Sequence, residues 1–292
     1  MEQKTYTLGF IGIGLMGEPM TLRLLAAGYV VNVWNRSPKK LQAVTEAGAT
    51  AYSHISELVQ SSDIILLCLA DSLIVEQIVT EHIMLYGKQD KLLIDLSSTH
   101  PEVSKQLAQQ LHNSCAMEWV DAPVSGGVAG AENGTLAIMA GGTEKSVNIA
   151  REILKPLYAQ LTHMGEIGSG QITKICNQMI VSCNVLVIAE MIALAEKSGV
   201  DTSKIASALA GGFADSKPLQ IVAPEMASAS FTPVKWRIKT LLKDLNMATD
   251  LAKTHTSATP MSALAEQLMQ LHGSHGFLDQ DPSTLIKLYK QD

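Results

Sequence analysis

The first half of the chain alternates short apolar runs with amphipathic segments of helical period. The apolar runs have the length of buried strands and lie at residues 8–11, 30–34, 64–69, 92–96, 117–121, 136–140 and 161–163. The helical patterns between them cover residues 14–27, 38–47, 53–59, 73–81, 101–111 and 144–154. This alternation predicts an α/β domain with a doubly wound, mostly parallel sheet and helices on both of its faces.

The pattern changes near Gly165. From there a periodic segment runs unbroken to Lys197, is apolar nearly all round in its middle, and is followed by helical patterns at residues 201–210, 218–227, 234–253, 261–272 and 283–289. A helix of that kind has to be surrounded by other helices. We therefore expect a first domain at residues 1–165 and an all-α domain at residues 166–292, built around one long interdomain helix and packed against the first domain across a cleft.

Composition and charge narrow the functional class. The 292 residues are 47% hydrophobic and 17% charged, which is typical of a soluble globular protein. A net charge of −6 without a clustered basic face argues against a nucleic-acid partner. The four cysteines lack paired spacing and are interpreted as reduced core residues of a cytoplasmic protein.

Membrane, secretion and metal signals are also weak in this sequence. The most apolar run, at residues 179–194, is shorter than the roughly 20 residues of a membrane span, so we interpret it as a buried helix. The first strand begins too early for a secretory signal. The histidines lack metal-ligand spacing, and no metal is expected.

A glycine motif, Gly12-x-Gly14-x-x-Gly17, joins the first predicted strand to the first predicted helix, with Leu15 and Met16 inside it. Gly12 would allow a tight turn, Gly14 a close approach of a pyrophosphate, and Gly17 close packing of the helix on its strand. The start of the helix offers N–H groups to an anion. A glycine loop without a ligand is the alternative, but the strand–turn–helix context predicts a dinucleotide cofactor.

The end of the second strand indicates which cofactor this is. An Asp or Glu there would accept hydrogen bonds from the ribose 2′-hydroxyl of NAD, but this chain has Asn35, Arg36 and Ser37. Arg36 supplies charged hydrogen-bond donors for a 2′-phosphate, and Asn35 and Ser37 supply uncharged donors. We expect NADP(H) to be preferred and NAD(H) to be accepted, unless Arg36 is only a solvated loop charge.

Two motifs are candidates for the chemistry. Asp121-Ala-Pro-Val-Ser125-Gly126-Gly127 follows a strand, so its hydroxyl and N–H groups can hold a carboxylate or carbonyl oxygen, although it can also be a structural turn. Gly170-x-x-x-Lys174-x-x-Asn177 heads the long helix. Lys174 can donate a proton during carbonyl reduction and accept one during alcohol oxidation, and Asn177 can hold the substrate hydroxyl. The alternative for Lys174 is a solvent-exposed charge.

These motifs, together with Leu242-Lys243-Asp244-Leu245, resemble in order and spacing the β-hydroxyacid dehydrogenase family, which includes 3-hydroxyisobutyrate dehydrogenase and tartronate semialdehyde reductase. The resemblance covers essentially the whole chain. It implies a Rossmann domain joined to a helical domain by a long helix, with hydride transfer between a nicotinamide and a β-hydroxyacid carbon.

The resemblance also implies residue roles. Lys174 is the catalytic acid/base, the substrate carboxylate is bound by Ser125, Gly126 and Gly127, and Lys243 is a cofactor-side contact. The walls of the cofactor cleft are formed by Leu69, Ala70, Ser97 and Ser98. Many members place the active-site asparagine four residues after the lysine, where this chain has Gln178, so Asn177 and Gln178 are both expected near the substrate.

The sequence thus predicts an NADP(H)-preferring oxidoreductase that interconverts a short β-hydroxyacid and its semialdehyde or ketoacid. One alternative is an imine reductase on the same fold, although the presence of Lys174 argues against this alternative. The other is an NADP(H)-binding module without turnover. The apolar helical domain suggests a homodimer or homotetramer.

Overall fold

The computed structural model describes residues 6–290 of the chain. These residues divide into two compact units, Met1–Lys174 and Ile175–Asp292. The division falls inside the long helix, nine residues beyond the domain boundary predicted at residue 165.

Unit 1 contains one sheet, to which the described residues contribute nine strands. The strands are β1 (Thr7–Ile11), β2 (Val30–Trp34), β3 (Thr50–Ala51), β4 (Ile64–Leu67), β5 (Leu92–Asp95), β6 (Glu118–Asp121), β7 (Val124–Ser125), β8 (Leu136–Gly141) and β9 (Tyr158–Gly165). Their order is β3-β2-β1-β4-β5-β6-β8-β7, with β9 paired to β8. Neighbours are parallel except where β8 meets β6 and β7, so the mostly parallel sheet is confirmed.

The helices of unit 1 lie between these strands. They are α1 (Gly17–Ala26), α2 (Gln42–Glu46), α3 (Ile55–Gln60), α4 (Ser72–Ile78), α5 (Met84–Tyr86), α6 (Pro101–Cys115), α7 (Gly127–Asn133) and α8 (Glu144–Leu154). Short 3-10 or π turns add Pro38–Leu41, Val79–Ile83 and Lys155–Leu157. Helix α1 begins at Gly17 rather than at the predicted residue 14, which leaves residues 14–16 in the glycine turn.

Both faces of the central strands β1, β4 and β5 are buried, as a doubly wound fold requires. Successive residues of β4 show this directly, because Ile64 and Leu66 pack into one apolar cluster and Ile65 and Leu67 into another. The first cluster is covered by α1 and α8, and the second by α3 and α6. The continuous apolar run of β4 is therefore explained by burial on two sides.

Unit 2 is helical throughout its described part. The long helix α9 (Ser169–Lys197) begins in unit 1 and continues into unit 2, where it is followed by α10 (Ile205–Leu209), α11 (Lys217–Ser228), α12 (Ile238–Thr254) and α13 (Pro260–His272). Short 3-10 or π turns cover Thr202–Lys204, Gly273–Phe277 and Pro282–Leu288. Helices α9 to α13 share one apolar core, to which α9 contributes Val185, Ala189 and Ile192.

Helix α9 is less completely enclosed than the sequence predicted. Its 29 residues make it long and apolar enough to cross a membrane by length and composition alone, and 44% of its most apolar window is buried inside the structure. A core helix of a soluble protein satisfies the same criterion. Opposite its core face, however, Ile180, Val187 and Leu194 are 65%, 52% and 69% exposed, so the expectation of a helix wrapped on all sides was wrong.

Candidate active site

The glycine turn lies where the strand order of unit 1 reverses. Strand β1 has β2 on one side and β4 on the other, so the connections that leave β1 and β4 diverge at the carboxyl edge of the sheet. Ligands of open α/β sheets bind in the crevice at such a switch point. Backbone bonds hold the turn there, since the Gly12 amide donates to the Trp34 carbonyl and the Cys68 amide to that of Ile11.

The three glycines of the turn have different physical requirements. Gly12 has φ +106°, and a Cβ there would overlap the Cys68 carbonyl oxygen. A Cβ on Gly17 would overlap the Gly12 carbonyl oxygen. At Gly14, in contrast, a Cβ would have no atom of residues 6–290 within 4 Å, its chain neighbours aside. The fold therefore explains two of the glycines, and the open space beside the third fits the pyrophosphate of a dinucleotide, with Leu15 and Met16 completing the loop.

The end of β2 braces the turn and presents cations. The Asn35 side chain accepts from the Ile13 amide at 3.1 Å and donates to the Ser37 carbonyl at 3.0 Å. Its predicted function as a cofactor contact is therefore combined with a structural one. Arg36 and Ser37 are exposed, and Lys39 and Lys40 are exposed just after them. This end of β2 can therefore hold an anionic group.

The loops after β4 and β5 are bonded to one another. The Leu69 amide donates to Ser97 Oγ at 2.9 Å, while the Ser97 amide and the Thr99 hydroxyl donate to the two carboxylate oxygens of Asp95 at 2.9 and 2.8 Å. This places the predicted cofactor-cleft residues Leu69, Ala70, Ser97 and Ser98 on two adjoining loops. The first turn of α6 is capped by His100 Nδ1, which accepts from the Glu102 amide.

Two buried carboxylates lie at this edge of the sheet. Asp95 and Asp121 are register partners on β5 and β6, and neither is exposed. Burial raises the pKa of both, that of Asp95 to about 6, with a further increase from the nearby Asp121 charge. The folded chain therefore binds the Asp95 proton more tightly than the unfolded chain does. The stability that this carboxyl costs when ionised is regained as the pH falls from about 6 towards 3.8.

The serine–glycine motif forms an accessible corner after β6. Ser125 is half-buried and pairs with Ala137 of β8, while Gly126 and Gly127 are exposed. Their φ angles of +139° and +64° are ones that side chains rarely adopt. The corner can therefore present backbone N–H groups beside a hydroxyl, as the sequence predicted for carboxylate binding.

Lys174 lies one and a half turns inside α9 and is only 8% exposed. A lysine this buried is rare, which favours a functional group over the alternative of a solvent charge. Gln171 and Gln178, three residues before and four after it on the same helix face, are buried as well.

Asn177 and Gln178 belong to a polar chain within unit 2. Asn177 Nδ2 donates to Gln178 Oε1 at 2.8 Å, and Gln178 Nε2 donates to Asp244 Oδ2 at 2.6 Å. Lys243 Nζ lies 3.4 Å from the other Asp244 oxygen. The Gln178 amide thus faces Asp244, a residue that the sequence placed in a motif without giving it a function.

The structure therefore brings the predicted residues together in two groups, one in each unit. The first follows strands β1, β2, β4, β5 and β6 of unit 1 and ends with Lys174. The second is the polar chain of Asn177, Gln178, Asp244 and Lys243 in unit 2. Among residues 6–290, no group of three or more His, Cys, Asp or Glu side chains is arranged to hold a metal.

Each of the two units matches a family of known proteins. Residues 7–165 match the NAD-binding domain of 6-phosphogluconate dehydrogenase, and residues 168–289 match the NAD-binding family of NADP-dependent 3-hydroxyisobutyrate dehydrogenase. The chain is 33% identical to 2-hydroxy-3-oxopropionate reductase of Escherichia coli over 96% of both chains. The solved structure of 3-hydroxyisobutyrate dehydrogenase from Mycobacterium tuberculosis with L-serine is 27% identical, with a TM-score of 0.88 over 98% of this chain and 100% of that one.

The chain belongs to the β-hydroxyacid dehydrogenase family of NAD(P)-dependent enzymes. An imine reductase from Streptomyces aurantiacus shares the fold at a lower TM-score of 0.67 and 19% identity, over 98% of this chain and 100% of that one.

The glycine turn gives a direct test of cofactor binding. Gly14→Ala should leave the free energy of unfolding within about 0.5 kcal/mol of wild type, because open space surrounds the new methyl group. The same methyl would fill the cofactor space, so NADPH should bind at least about tenfold more weakly, a loss of about 1.4 kcal/mol. Urea denaturation and NADPH fluorescence titration measure the two effects.

Gly17→Ala is the matched control for this substitution. Its methyl would overlap the Gly12 carbonyl, so stability should fall by about 1–3 kcal/mol. Equal NADPH affinity in wild type and Gly14→Ala would contradict the placement of the cofactor at this turn.

Proposed function

We propose that this enzyme is an NADP(H)-preferring reductase and dehydrogenase that interconverts a short β-hydroxyacid and its semialdehyde or ketoacid. The observation that carries the proposal is the burial of Lys174 near the head of α9, in the unit that contains the glycine turn. The bound cofactor supplies or accepts the hydride at the carbonyl carbon.

Lys174 is the proposed proton donor and acceptor. During reduction its ammonium group gives a proton to the carbonyl oxygen while the hydride adds to the carbon, so that C=O becomes CH–OH. In the reverse direction the neutral amine takes the hydroxyl proton as the hydride leaves. The low exposure of Lys174 keeps competing water away from this transfer.

The substrate carboxylate is proposed to bind at the corner formed by Ser125, Gly126 and Gly127. The Ser125 hydroxyl and the accessible glycine amides are donors suited to an anion. Asn177 is the proposed partner of the substrate hydroxyl. Gln178 supports it through their 2.8 Å hydrogen bond and is itself oriented by Asp244. These contacts favour a small carboxylated aldehyde or hydroxyacid.

The preference for NADP(H) rests on the end of β2. Residues 33–37 contain no carboxylate, and the exposed cations Arg36, Lys39 and Lys40 follow the strand, so a 2′-phosphate would find charge-assisted donors there. The residues proposed to contact the cofactor, including NAD(H) where it is accepted, are Gly12, Gly14, Leu15, Met16, Gly17, Asn35, Arg36, Ser37, Leu69, Ala70, Ser98 and Lys243.

The enzyme is further proposed to be a homodimer or homotetramer of the cytoplasm. Ile180, Val187 and Leu194 repeat every seven residues and form an exposed apolar stripe along about 21 Å of α9. Helix α13 adds exposed Met261, Leu264 and Leu271, and it adjoins α9 where the Cys183 thiol and Ser262 share a hydrogen bond. Exposed apolar residues on two helices of unit 2 suit a second copy of the chain. The four free cysteines are consistent with a reducing compartment.

The proposed reaction is tested with a substrate panel and one lysine variant. Wild type should oxidise NADPH with one or more of glyoxylate, succinic semialdehyde, tartronate semialdehyde and methylmalonate semialdehyde. Lys174→Ala should lose about 10²–10⁴-fold in kcat with unchanged NADPH affinity, because the proton donor is gone. Lys253→Ala, an exposed lysine of α12, is the control and should behave as wild type. Turnover of cyclic imines instead would indicate imine reductase chemistry, and tight NADPH binding without any turnover a binding module.

Cofactor preference is tested at Arg36. Arg36→Ala should lower kcat/KM for NADPH by about 10–100-fold, the loss expected for one charged hydrogen-bonding contact, and kcat/KM for NADH by less than about threefold. Lys145→Ala, which removes an exposed charge from α8, serves as the control. Equal losses with both cofactors, or a higher kcat/KM with NADH in wild type, would refute the preference.

The oligomer is tested by light scattering after gel filtration. Wild type should have a mass of two or four times the 31.3 kDa chain, and Val187→Glu should shift it towards the monomer by placing a charge in the apolar stripe. Leu85→Glu, which changes an exposed leucine of unit 1, should leave the mass unchanged. A monomeric wild type would overturn the proposal.

A further inference from the structure

The head of helix α9 is fixed to the sheet of unit 1 by one buried carboxylate. Asp121 Oδ1 accepts from the Gly168 amide at 2.7 Å, and Oδ2 accepts from the Gln171 amide at 2.9 Å. The donors lie 47 and 50 residues further along the chain. Asp121 thus connects the end of β6 to the first turn of the helix that carries Lys174.

Two glycines allow that carboxylate to be enclosed. A Cβ on Gly141 of β8 would lie 2.6 Å from Asp121 Oδ1, and a Cβ on Gly170 would lie 2.7 Å from Oδ2. Neither position therefore accepts a side chain without displacing the carboxylate. The Asp121 group is confined on both sides, so it holds the first turn of α9 in one place.

Gln171 connects the same turn to the loop after β5. Its Oε1 accepts from the Thr99 amide at 3.1 Å, and its Nε2 donates to the Ser97 carbonyl at 2.8 Å. Ser97 in turn accepts from the Leu69 amide through its hydroxyl. One buried amide side chain thereby joins the start of α9 to both loops that carry the proposed cofactor contacts Leu69 and Ser98.

Lys174 follows Gln171 by three residues, so both side chains lie on one face of the helix. The backbone position of Lys174 is consequently set by the bonds made one turn earlier. Placement matters for catalysis, since a displacement of about 1 Å at a reacting group can cost about 10²-fold in rate.

We propose that Asp121 and Gln171 are positioning residues that fix Lys174 relative to the loop at residues 97–99. The proposal rests on the proposed function of Lys174 as the proton donor. Neither residue touches the reacting atoms. Their contribution is to keep the lysine and the cofactor loops in one rigid arrangement within unit 1.

The experiment replaces Gln171 by methionine, which has similar length and no amide. Gln171→Met should lower kcat by about 10–100-fold, because Lys174 loses its fixed place. Substrate KM should stay within about threefold, because the Ser125–Gly127 corner is untouched, and NADPH affinity should fall by less than kcat does. Thr143→Ala is the matched control: it removes the hydrogen bond that caps α8 in the same unit, so it lowers stability without touching this network. The control should keep the kcat of wild type.

A second variant tests the hydrogen bonds themselves and remains informative if Gln171→Met does not fold. In Gln171→Glu, the protonated carboxyl can still accept from Thr99 and donate to Ser97, whereas the ionised form has no donor. The ionisable groups of this network are Asp95, which accepts from Thr99, and Asp121, which accepts from the Gln171 amide. Next to them are Cys68, which interacts with Asp95, Lys105, which lies beside Gly168, and Lys174, one turn further along α9. The kcat of Gln171→Glu relative to wild type should therefore rise as the pH falls from 8 to 6.

The outcomes separate the two proposals. Wild-type kcat in Gln171→Met, or a pH-independent kcat ratio in Gln171→Glu, would overturn the positioning function provided that Lys174→Ala is inactive. An active Lys174→Ala would overturn the proposed function and this inference with it.

Discussion

A carboxylate buried at the edge of a sheet requires hydrogen-bond donors. This fold buries two such carboxylates side by side. Asp95 receives its donors from the loop that follows β5, and Asp121 receives them from the head of α9. Withdrawal from water raises the pKa of both carboxyl groups, so each costs stability when ionised. Hydrogen bonds offset that cost only where the surrounding backbone is placed accurately. The two carboxylates therefore fix the loops and the start of the helix to the sheet.

The glycines show how the fold and its ligand make separate demands on one motif. Gly12 and Gly17 are required by neighbouring carbonyl groups of the chain itself, whereas no protein atom explains Gly14. The proposed binding of the cofactor pyrophosphate beside Gly14 would account for the smallest residue at a position that packing leaves free. The same reasoning assigns Gly141 and Gly170 to the fold. A side chain at Gly141 would meet the Asp121 carboxylate and the Glu166 carbonyl oxygen, and one at Gly170 would meet that carboxylate and the Met139 carbonyl oxygen.

Much of this architecture could be predicted from the sequence because its signals are local. The seven predicted strands of unit 1 are present, and the continuous apolar runs of β4 and β5 are explained by burial on both sheet faces. Strands β3 and β7 were missed because two residues carry no periodicity. Helix α7 was missed because its glycines and alanines give no amphipathic pattern.

The residues of the candidate site also fall into those that the sequence could predict and those that it could not. Residues that follow parallel strands could be assigned to one edge, since the carboxyl ends of such strands coincide. Asp95, Gln171 and Asp244 could not be assigned to the site in this way. Their roles depend on hydrogen-bond partners that only the folded structure brings close to them. Gln171 and Ser97 are 74 residues apart, and Gln178 and Asp244 are 66 apart. No spacing rule connects such pairs.

Helix α9 shows why average hydropathy predicts a helix but not its surroundings. Its head is polar yet buried, at Gln171, Lys174 and Gln178, while Ile180, Val187 and Leu194 are apolar yet exposed. A uniform apolar pattern cannot distinguish the face that packs in its own core from one that a second chain would cover. The first face is fixed by contacts with α11, α12 and α13, whereas the second is left with apolar surface facing water. Exposed apolar surface is unfavourable in an isolated chain, and the proposed homodimer or homotetramer would cover this stripe.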